Sequence, residues 1–402
     1  MVQSNKKRVR PGKRLTRPAQ VTALPGQVVL ALQGGGALGA YQAGVYEALH
    51  EAGIEPDWVI GTSIGAINAA LIAGNKLEDR LLHLRAFWKN IEQNVGEALP
   101  ALNPFLASAM MKWMTITRGI PSFFSPNPLL LLGQYAPVGA ENAAYYSTSP
   151  LRATLDHLVD FEYINSRRMR ISLGAVKICS GEMIYFDSRK DTLSIEHVMA
   201  SGAFPPAFPA VCVNGDFYWD GGIYSNTPLE AVLDDSPRRD SLIFTVDVWN
   251  PDGAKPQSLW EVFGREKDIQ YASRATSHIA RQKQIHHLRH VILELTKAIP
   301  VKTRETPEMK ELASWGCKTR MHVVRLVASS FPGEDQMKDI DFAPSHIHNR
   351  WQAGYADTRR MLELAPWTYP VDPIEGLIIH DAPPGAAPPV AEGVDGFAGG
   401  TR

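Results

Sequence analysis

A serine flanked by glycines is the first feature of this sequence that could carry out a reaction. Gly61 and Gly65 flank Ser63 in a GxSxG pentad, which follows the short apolar run Trp58 to Ile60 and precedes a helical pattern. A strand-to-helix turn of this kind holds the serine in a strained, exposed position, and its glycines give the neighbouring backbone room. The pattern predicts that Ser63 is a nucleophile. The alternative is that the serine only caps the helix that follows.

An aspartate that could take a proton from this serine follows another short strand pattern. Asp220 directly follows the short run Phe217 to Trp219, and it is followed in turn by Gly221 and Gly222. A carboxylate with glycines beside it can approach a serine hydroxyl closely enough to act as a general base. An aspartate with an ordinary pKa near ~3.9 is a weak base, so the site must raise that pKa or rely mainly on oxyanion stabilisation. Taken alone, the Asp-Gly-Gly triplet is also a common turn signal.

A cluster of glycines lies where the first predicted strand turns into a helix. Three consecutive glycines, Gly34 to Gly36, follow the apolar run Val28 to Leu32, and Gly39 completes a GxGxxG pattern. The backbone amides of such a loop, beside a helix N-terminus, can bind an anion or a developing oxyanion. A dinucleotide-binding loop is the alternative. That loop requires an acidic residue at the end of the next strand, whereas Asp57 comes before it.

Twelve histidines leave other catalytic or metal-binding arrangements to consider. A Ser-His-Asp triad is one alternative, but the Asp220 motif already supplies a partner for Ser63. His286 and His290 have a spacing that suits a metal on one helix face, although their charged neighbours favour a solvated surface. His197 is expected to pack or to cap a helix. The sequence therefore predicts neither a metal site nor an organic cofactor.

The composition limits the class of protein and its partners. The chain has 402 residues, of which 45% are hydrophobic and 21% charged, the balance of a globular protein with a large core. Its net charge is −1, so we expect no nucleic-acid partner. Seven Lys and Arg residues lie within the first seventeen positions, before the first acidic residue at Glu47. This basic arm is predicted to be either a solvated disordered segment or a contact for anionic lipid or another polyanion.

The cysteines and the uncharged stretches indicate where in the cell the protein is expected to be. Cys179, Cys212 and Cys317 are odd in number and lack CxxC spacing, which argues against a disulfide framework or structural zinc and favours a reducing, cytoplasmic location. The uncharged stretches Trp58 to Asn75 and Gly119 to Ala140 contain polar residues or prolines that do not suit a membrane-spanning helix. Any membrane contact is therefore expected to be peripheral.

Alternating strand and helix patterns surround the glycine loop and the GxSxG pentad. The run Val28 to Leu32 precedes a helical pattern from about Leu38 to Ala52, and Trp58 to Ile60 precedes a small-residue helix that ends near Ala73. Two such units in succession imply parallel strands joined by right-handed crossovers, with ligands at the carboxyl ends of the strands. Another helix is predicted from Lys76 to Asn90. Later strands of the same sheet are predicted at Ile171 to Val176, Met183 to Phe186, Phe217 to Trp219 and Leu242 to Val246.

The chain is predicted to divide into a core, an extension and two tails. Residues 27–235 carry the three motifs, and within them residues 95–145 combine apolar side chains with prolines, which is typical of a cap or lid. Residues 236–375 are predicted to form a C-terminal α/β extension. Its expected elements are a basic helix from Leu259 to Leu288, strands at His290 to Leu295 and His322 to Val327, and a helix from Ser345 to Leu364. Residues 1–26 and 376–402 lack a periodic apolar face and are predicted to be disordered.

The order of the motifs along the chain resembles the patatin-like phospholipase family. The resemblance rests on the GGGxxG loop, the GTSIG pentad, the stretch ASGAFPPAFP at residues 200–209, the Asp-Gly-Gly triplet and the stretch NTPL at residues 226–229. It covers roughly Val28 to Leu233. Residues 250–370 resemble an extension found in a bacterial subset of such proteins, whose role is not established.

The resemblance implies a fold, an activity and roles for particular residues. The implied fold is a three-layer α/β/α hydrolase with a central, mostly parallel sheet, and the implied activity is hydrolysis of lipid acyl esters without a cofactor. By motif position Ser63 is the nucleophile and Asp220 the base, without a catalytic histidine. The implied oxyanion hole is formed by the amides of Gly34, Gly35 and Gly36.

One residue departs from the family pattern. Leu38 stands where many members carry Arg or Lys, which removes a cation near the site and weakens the expectation of anionic phospholipid substrates. A non-catalytic protein that binds lipid or acyl chains on the same fold is therefore the alternative function.

Overall fold

The structure is a computed structural model that describes residues 24–93, 104–331, 334–372 and 374–382. Its strands are β1 (Gln27–Leu32), β2 (Trp58–Thr62), β3 (Ser125–Pro126), β4 (Tyr146–Ser147), β5 (Arg170–Lys177), β6 (Met183–Asp187), β7 (Val211–Val213), β8 (Asp216–Asp220), β9 (Ser241–Asp247), β10 (Met321–Val327) and β11 (Leu377–Asp381). All of them except β3 and β4 belong to one sheet.

The helices cover both faces of this sheet and form the cap. They are α1 (Ala40–Glu51), α2 (Ile64–Ala73), α3 (Arg80–Ile91), α4 (Pro104–Arg118), α5 (Ser149–Leu158), α6 (Phe161–Asn165), α7 (Ile195–Ser201), α8 (Glu230–Leu233), α9 (Leu259–Ala298), α10 (Val301–Arg304), α11 (Pro307–Ser314) and α12 (Pro344–Leu364). Short 3-10 helices lie at Gly36–Gly39, Pro128–Leu132, Gly221–Ile223, Lys338–Ile340 and Pro366–Thr368.

The order of the strands confirms the predicted α/β fold with a mostly parallel sheet. The order is β11-β10-β9-β1-β2-β5-β8-β7, with β6 also paired to β5. Every pair from β11 to β5 is parallel, whereas β6, β7 and β8 pair in antiparallel fashion. The strands β9, β10 and β11 come from the region after residue 236, so this region continues the sheet of the preceding part of the chain.

Strand β1 has apolar residues at successive positions because both of its faces are covered. Val28, Leu30 and Leu32 belong to the apolar cluster that also includes buried residues of α1 and α2. Val29 belongs to a second cluster, on the other face, which includes Ile279 of α9. Helices therefore lie on both sides of the sheet and form the outer two of the three layers.

Helix α12 of the C-terminal region packs directly on α1 at two glycines. A Cβ at Gly354 would lie 2.0 Å from the carbonyl oxygen of Tyr41, and one at Gly44 would lie 1.9 Å from that of Trp351. The Tyr41 hydroxyl donates to Asp357 over 2.7 Å. Since α1 directly follows the glycine loop, the packing of α12 against α1 also stabilises the position of that loop.

Two predictions for the C-terminal region are wrong. His290 to Leu295, predicted as a strand, belongs to the 40-residue helix α9, because a short apolar run cannot be distinguished from a buried helix segment by periodicity. His286 and His290 were expected on a solvated face, yet they are 0% and 3% exposed. Both lie against Gly376, the residue that precedes β11.

The predicted C-terminal tail also begins too early. Residues 377–381 of the expected tail 376–402 form β11, which pairs in parallel with β10. Leu377 is buried in the second apolar cluster. The remaining residues of this tail from 383 onward, and the basic arm up to residue 23, lie outside the described residues. Within the described ranges, no helix is both long and apolar enough to cross a membrane.

Replacing Gly354 should destabilise the protein because an added methyl group has no room between α12 and α1. We expect Gly354→Ala to lower the free energy of unfolding by about 1–3 kcal/mol, measured by urea denaturation. Gly264→Ala in α9 is the matched control, since a Cβ there would only make an ordinary contact of 3.4 Å. It should leave stability unchanged or raise it by up to about 1 kcal/mol. Equal effects of the two substitutions would contradict the close helix contact.

Candidate active site

Ser63 lies in a sharp turn between β2 and α2. Its φ is 58° and its ψ is −127°, a backbone conformation that residues other than glycine rarely adopt. A Cβ at Gly61 would lie 2.2 Å from the carbonyl oxygen of Gly65, and one at Gly65 would lie 2.3 Å from that of Leu32. Both glycines of the pentad are therefore required for this turn.

The backbone of Ser63 is fixed by α7. Its amide donates a hydrogen bond of 3.1 Å to the hydroxyl of Ser201, which in turn donates over 2.6 Å to the carbonyl of Gly174 in β5. Ser201 is part of the stretch ASGAFPPAFP. The structure thus gives this stretch a role that sequence reasoning did not assign, because the contact joins residues 138 positions apart.

Asp220 lies at the end of β8, with its side chain in the same cavity as Ser63. It is 1% exposed, and this burial raises the pKa of its carboxyl to about 7, although the Ser63 hydroxyl and the Gly222 amide act to lower it. The Gly222 amide donates to Oδ1 over 3.0 Å. The second oxygen, Oδ2, has no partner in hydrogen-bond geometry among the described residues. It is therefore available to accept a proton.

The glycine loop lines this cavity, and its three amides differ in their hydrogen bonding. Gly34, Gly35 and Gly36 all line it, but the Gly34 amide donates to the carbonyl of Asn226 over 3.2 Å. The prediction that all three amides form an oxyanion hole must therefore be corrected, because the Gly34 amide is already engaged. The amides of Gly35 and Gly36 have no acceptor among the described residues.

The carbonyl of Gly34 is held as firmly as its amide. It accepts hydrogen bonds of 3.0 Å from Asn226 Nδ2 and 2.8 Å from Trp249 Nε1. Asn226 belongs to the stretch NTPL at residues 226–229. This stretch, the last of the family motifs along the chain, therefore holds the first glycine of the loop in place. The loop cannot rotate without breaking these bonds.

Gln33 ties the loop to β9 and to the segment that follows it. This fully buried side chain donates to Thr227 Oγ1 over 2.8 Å and accepts from the amides of Val248 and Trp249 over 2.6 and 3.0 Å. Thr227 donates in turn to the buried Asp247 over 3.0 Å. Sequence reasoning missed Gln33 and Trp249, since a lone Gln after an apolar run gives no local signal of such contacts.

The cavity that contains Ser63 and Asp220 has a volume of about 310 Å³. It opens at the carboxyl ends of β1 and β2, where the sheet topology predicts a ligand site. Ile116, Phe123 and Phe124 of the predicted cap line it. Its other large apolar lining residues are Ile64, Ile67, Tyr146, Leu151, Phe204, Phe208, Trp249, Tyr271, Ile340 and Phe342. A cavity of this size and character can hold an acyl chain or part of one.

The histidines considered from the sequence do not line this cavity. His197 Nδ1 accepts from the amide of Ser194 over 3.0 Å at the start of α7, and its ring packs edge-on against Phe186. It has the capping and packing role that its sequence position predicts. Among the described residues, no group of three or more His, Cys, Asp or Glu side chains is arranged to hold a metal ion.

Comparisons with solved structures find distant similarity. The structure of VipD from Legionella pneumophila is 15% identical, with 85% of this chain and 67% of that chain covered and a TM-score of 0.36. The heterodimeric complex ExoU-SpcU from the type III secretion system of Pseudomonas aeruginosa is 16% identical, with 72% and 59% covered and a TM-score of 0.26.

Two curated relatives match short parts of the chain. Lysophospholipase nte1 of Aspergillus terreus is 61% identical over 46 residues, and triacylglycerol lipase ptl3 of Schizosaccharomyces pombe is 35% identical over 74 residues. These alignments cover 11% and 18% of this chain but only 3% and 15% of the relatives. The chain thus spans a small fraction of the length of either protein.

Family models give a broader match. The model described as patatin-like phospholipase matches residues 30–233, just over half of the chain, and includes the glycine loop, Ser63 and Asp220. A second model, described as patatin phospholipase, matches residues 269–374. The protein belongs to the patatin-like phospholipase family.

Proposed function

We propose that this protein is a serine hydrolase that cleaves acyl esters of lipids. The observation that carries the proposal is the shared cavity in which Ser63, on a strained turn, lies beside the buried Asp220, whose carboxyl has a pKa of about 7. Family membership supports the substrate class, and so do the lipase and lysophospholipase names of the two curated relatives.

The proposed reaction uses Ser63 and Asp220 twice. The Ser63 oxygen attacks the ester carbonyl carbon while Asp220 Oδ2 accepts the hydroxyl proton, and the alcohol leaves with that proton. Water then attacks the acyl-serine, again giving a proton to Asp220, and the acid departs as the proton returns to Ser63. Asp220 makes every proton transfer, so the proposed reaction requires no metal ion or organic cofactor.

The negative charge that develops on the ester oxygen needs fixed donors. We assign this role to the amides of Gly35 and Gly36, two residues that line the cavity and whose amides have no acceptor in the described part of the chain. Because Gly34 is held by Asn226 and Trp249, these donors need no rearrangement when the charge appears. Preorganised donors of this kind commonly supply the largest single part of catalysis.

Replacing either member of the dyad should remove activity. We expect Ser63→Ala to lower turnover of a soluble short-chain ester at least about a thousandfold, with loss of fluorophosphonate labelling. Asp220→Asn should lower turnover about a hundredfold or more, because the amide keeps the shape but cannot accept the proton. Ser180→Ala, at an exposed serine in the turn between β5 and β6, is the matched control and should keep both turnover and labelling.

The turnover and labelling of these variants also distinguish the proposed dyad hydrolase from its alternatives. Substantial turnover by the Ser63→Ala variant would contradict the nucleophile assignment. A small effect of Asp220→Asn, together with inactivation by a histidine substitution, would indicate a triad instead. Binding of fatty acid without any turnover or labelling would favour a non-catalytic acyl-chain binder.

The rate should depend on pH through the Asp220 carboxyl. Only the deprotonated carboxylate can accept a proton, and burial raises the pKa of Asp220 to about 7. We therefore expect kcat/KM to rise about tenfold per pH unit below pH 7 and to level off above it. The pH profile of a soluble ester substrate tests this. His197→Gln should keep the same midpoint, whereas a midpoint near the ordinary aspartate value would contradict the assignment of Asp220 as the base.

We also propose that the cap contacts a lipid surface. Leu131 and Tyr135 are each 92% exposed and Leu132 is 65% exposed, which is unusual for side chains of this size in one short segment. Neighbouring cap residues line the cavity that contains Ser63. A cap bound to lipid through these leucines would place the cavity close to its substrate.

A double substitution should weaken this contact without affecting the chemistry. We expect Leu131→Ser with Leu132→Ser to lower binding to phosphatidylcholine vesicles about tenfold or more, while turnover of a soluble ester is kept. Leu288→Ser with Leu312→Ser, at two exposed leucines outside the cap, is the control. Equal vesicle binding by all three proteins would contradict a role for the cap.

The contribution of the basic arm can be measured in the same vesicle-binding experiment. Deleting residues 2–20 should weaken binding only to anionic vesicles, and increasing salt should remove the difference. If this deletion changes nothing at low salt, the lipid contact belongs to the cap alone.

A further inference from the structure

The charges around the cavity are the basis of an inference about the substrate, which rests on the function proposed above. Asp220 and Asp339 are its charged lining residues, and no Lys, Arg or His is among the described residues that line it. A phosphate group placed in this cavity would lose its hydration without gaining a cationic partner, at a large cost in free energy. An ester of an uncharged alcohol avoids that cost.

The lysines close to the cavity are already paired. Lys267 of α9 contacts both carboxylate oxygens of Asp339 at 2.7 Å. Lys338 contacts Asp268 at 2.6 Å. Both ammonium groups lie within 6 Å of the ring of Trp249, which forms part of the cavity wall. Each of these two cations is therefore neutralised by an aspartate.

Asp339 lines the cavity, whereas its partner Lys267 does not. Its carbonyl oxygen lies so close to Gly36 that a Cβ there would be 2.2 Å away. Its carboxylate, after burial, helps to raise the pKa of the Tyr271 hydroxyl to about 12, and the Tyr271 ring stacks on Trp249. Asp339 thus contacts the glycine loop through its backbone, while its carboxylate binds the Lys267 cation.

We propose that the Asp339–Lys267 pair sets the head-group preference of this enzyme, and that it favours acyl esters of uncharged alcohols over esters that carry a phosphate. Both residues come from the region after residue 236. The C-terminal region would then have a defined role, since it supplies the wall of the active site that selects the alcohol part of the substrate.

The two members of the pair can be removed separately, with opposite expected effects. Asp339→Asn removes the carboxylate that neutralises the Lys267 ammonium and leaves this cation, which also donates to the carbonyl of Gln336 over 3.2 Å, able to contact an anion. Lys267→Met leaves the Asp339 carboxylate uncompensated. Damage to the fold would lower the rates for all substrates, whereas the proposal requires the two variants to shift the preference in opposite directions.

The experiment compares a diacylglycerol, a phosphatidylcholine and a phosphatidylglycerol with identical short acyl chains, below their micelle concentrations so that surface binding plays no part. The wild type should have the highest kcat/KM for the diacylglycerol. The ratio of phosphatidylglycerol to diacylglycerol hydrolysis should rise about threefold or more in Asp339→Asn and fall in Lys267→Met, the size expected for a partly exposed ion pair. Both shifts should shrink as ionic strength increases.

The same helix offers matched controls. Lys297 and Glu294 form an exposed ion pair on α9, about 45 Å along the helix from Lys267. Lys297→Met and Glu294→Gln remove the same kinds of charge and should leave the ratio unchanged.

Two kinds of failure can be distinguished. If the wild type prefers the phosphatidylglycerol, or if both variants shift the ratio in the same direction or not at all while diacylglycerol is still hydrolysed, the head-group proposal is wrong and the hydrolase remains. If no ester is hydrolysed and a fluorophosphonate does not label Ser63, the proposed function itself fails.

Discussion

The placement of a buried carboxylate beside a strained serine is the constraint on which the rest of the structure depends. Burial raises the pKa of Asp220 from 3.8 to about 7, so the folded state binds a proton more tightly than the unfolded state. Stability is therefore lost as the pH rises from about 4 to about 7, by on the order of 4 kcal/mol. The left-handed backbone conformation of Ser63 lowers the free energy of unfolding by a further amount of about 1–3 kcal/mol. Only a rigid surrounding structure can hold both features.

That rigidity comes from regions far apart in sequence. The glycine loop is held by Asn226, Trp249 and Gln33, and helix α12 supports the helix that follows the loop. Strands β9, β10 and β11 extend the sheet from β1 outward. The C-terminal region is consequently part of the structure that positions the site, and the proposed role of Asp339 in substrate choice is consistent with that position.

The sequence predicts best where the relevant residues are contiguous. The turn at Ser63 and the strand end at Asp220 depend on a few neighbouring residues, so their motifs predicted a shared site, and the structure places both in one cavity. Gln33, Trp249 and Tyr271 give no such signal, because the hydrogen bonds that join Gln33 to the other two span 216 and 238 positions. The strand β11 and the end of α9 were missed for a related reason. A short apolar run takes its conformation from tertiary packing, which no local pattern specifies.

The apolar lining of the cavity links substrate binding to the strength of the proposed base. The aromatic residues that can hold an acyl chain, among them Phe204 and Phe208, line the same cavity as the Asp220 carboxylate. In the proposed reaction the acyl chain of the substrate lies against this apolar wall. The 1% exposure of Asp220 already raises the pKa of its carboxyl to about 7, because burial disfavours the charged form of the proposed base and makes it a stronger base. The apolar lining would therefore serve both parts of the proposed reaction, the binding of the acyl chain and the removal of the proton from Ser63.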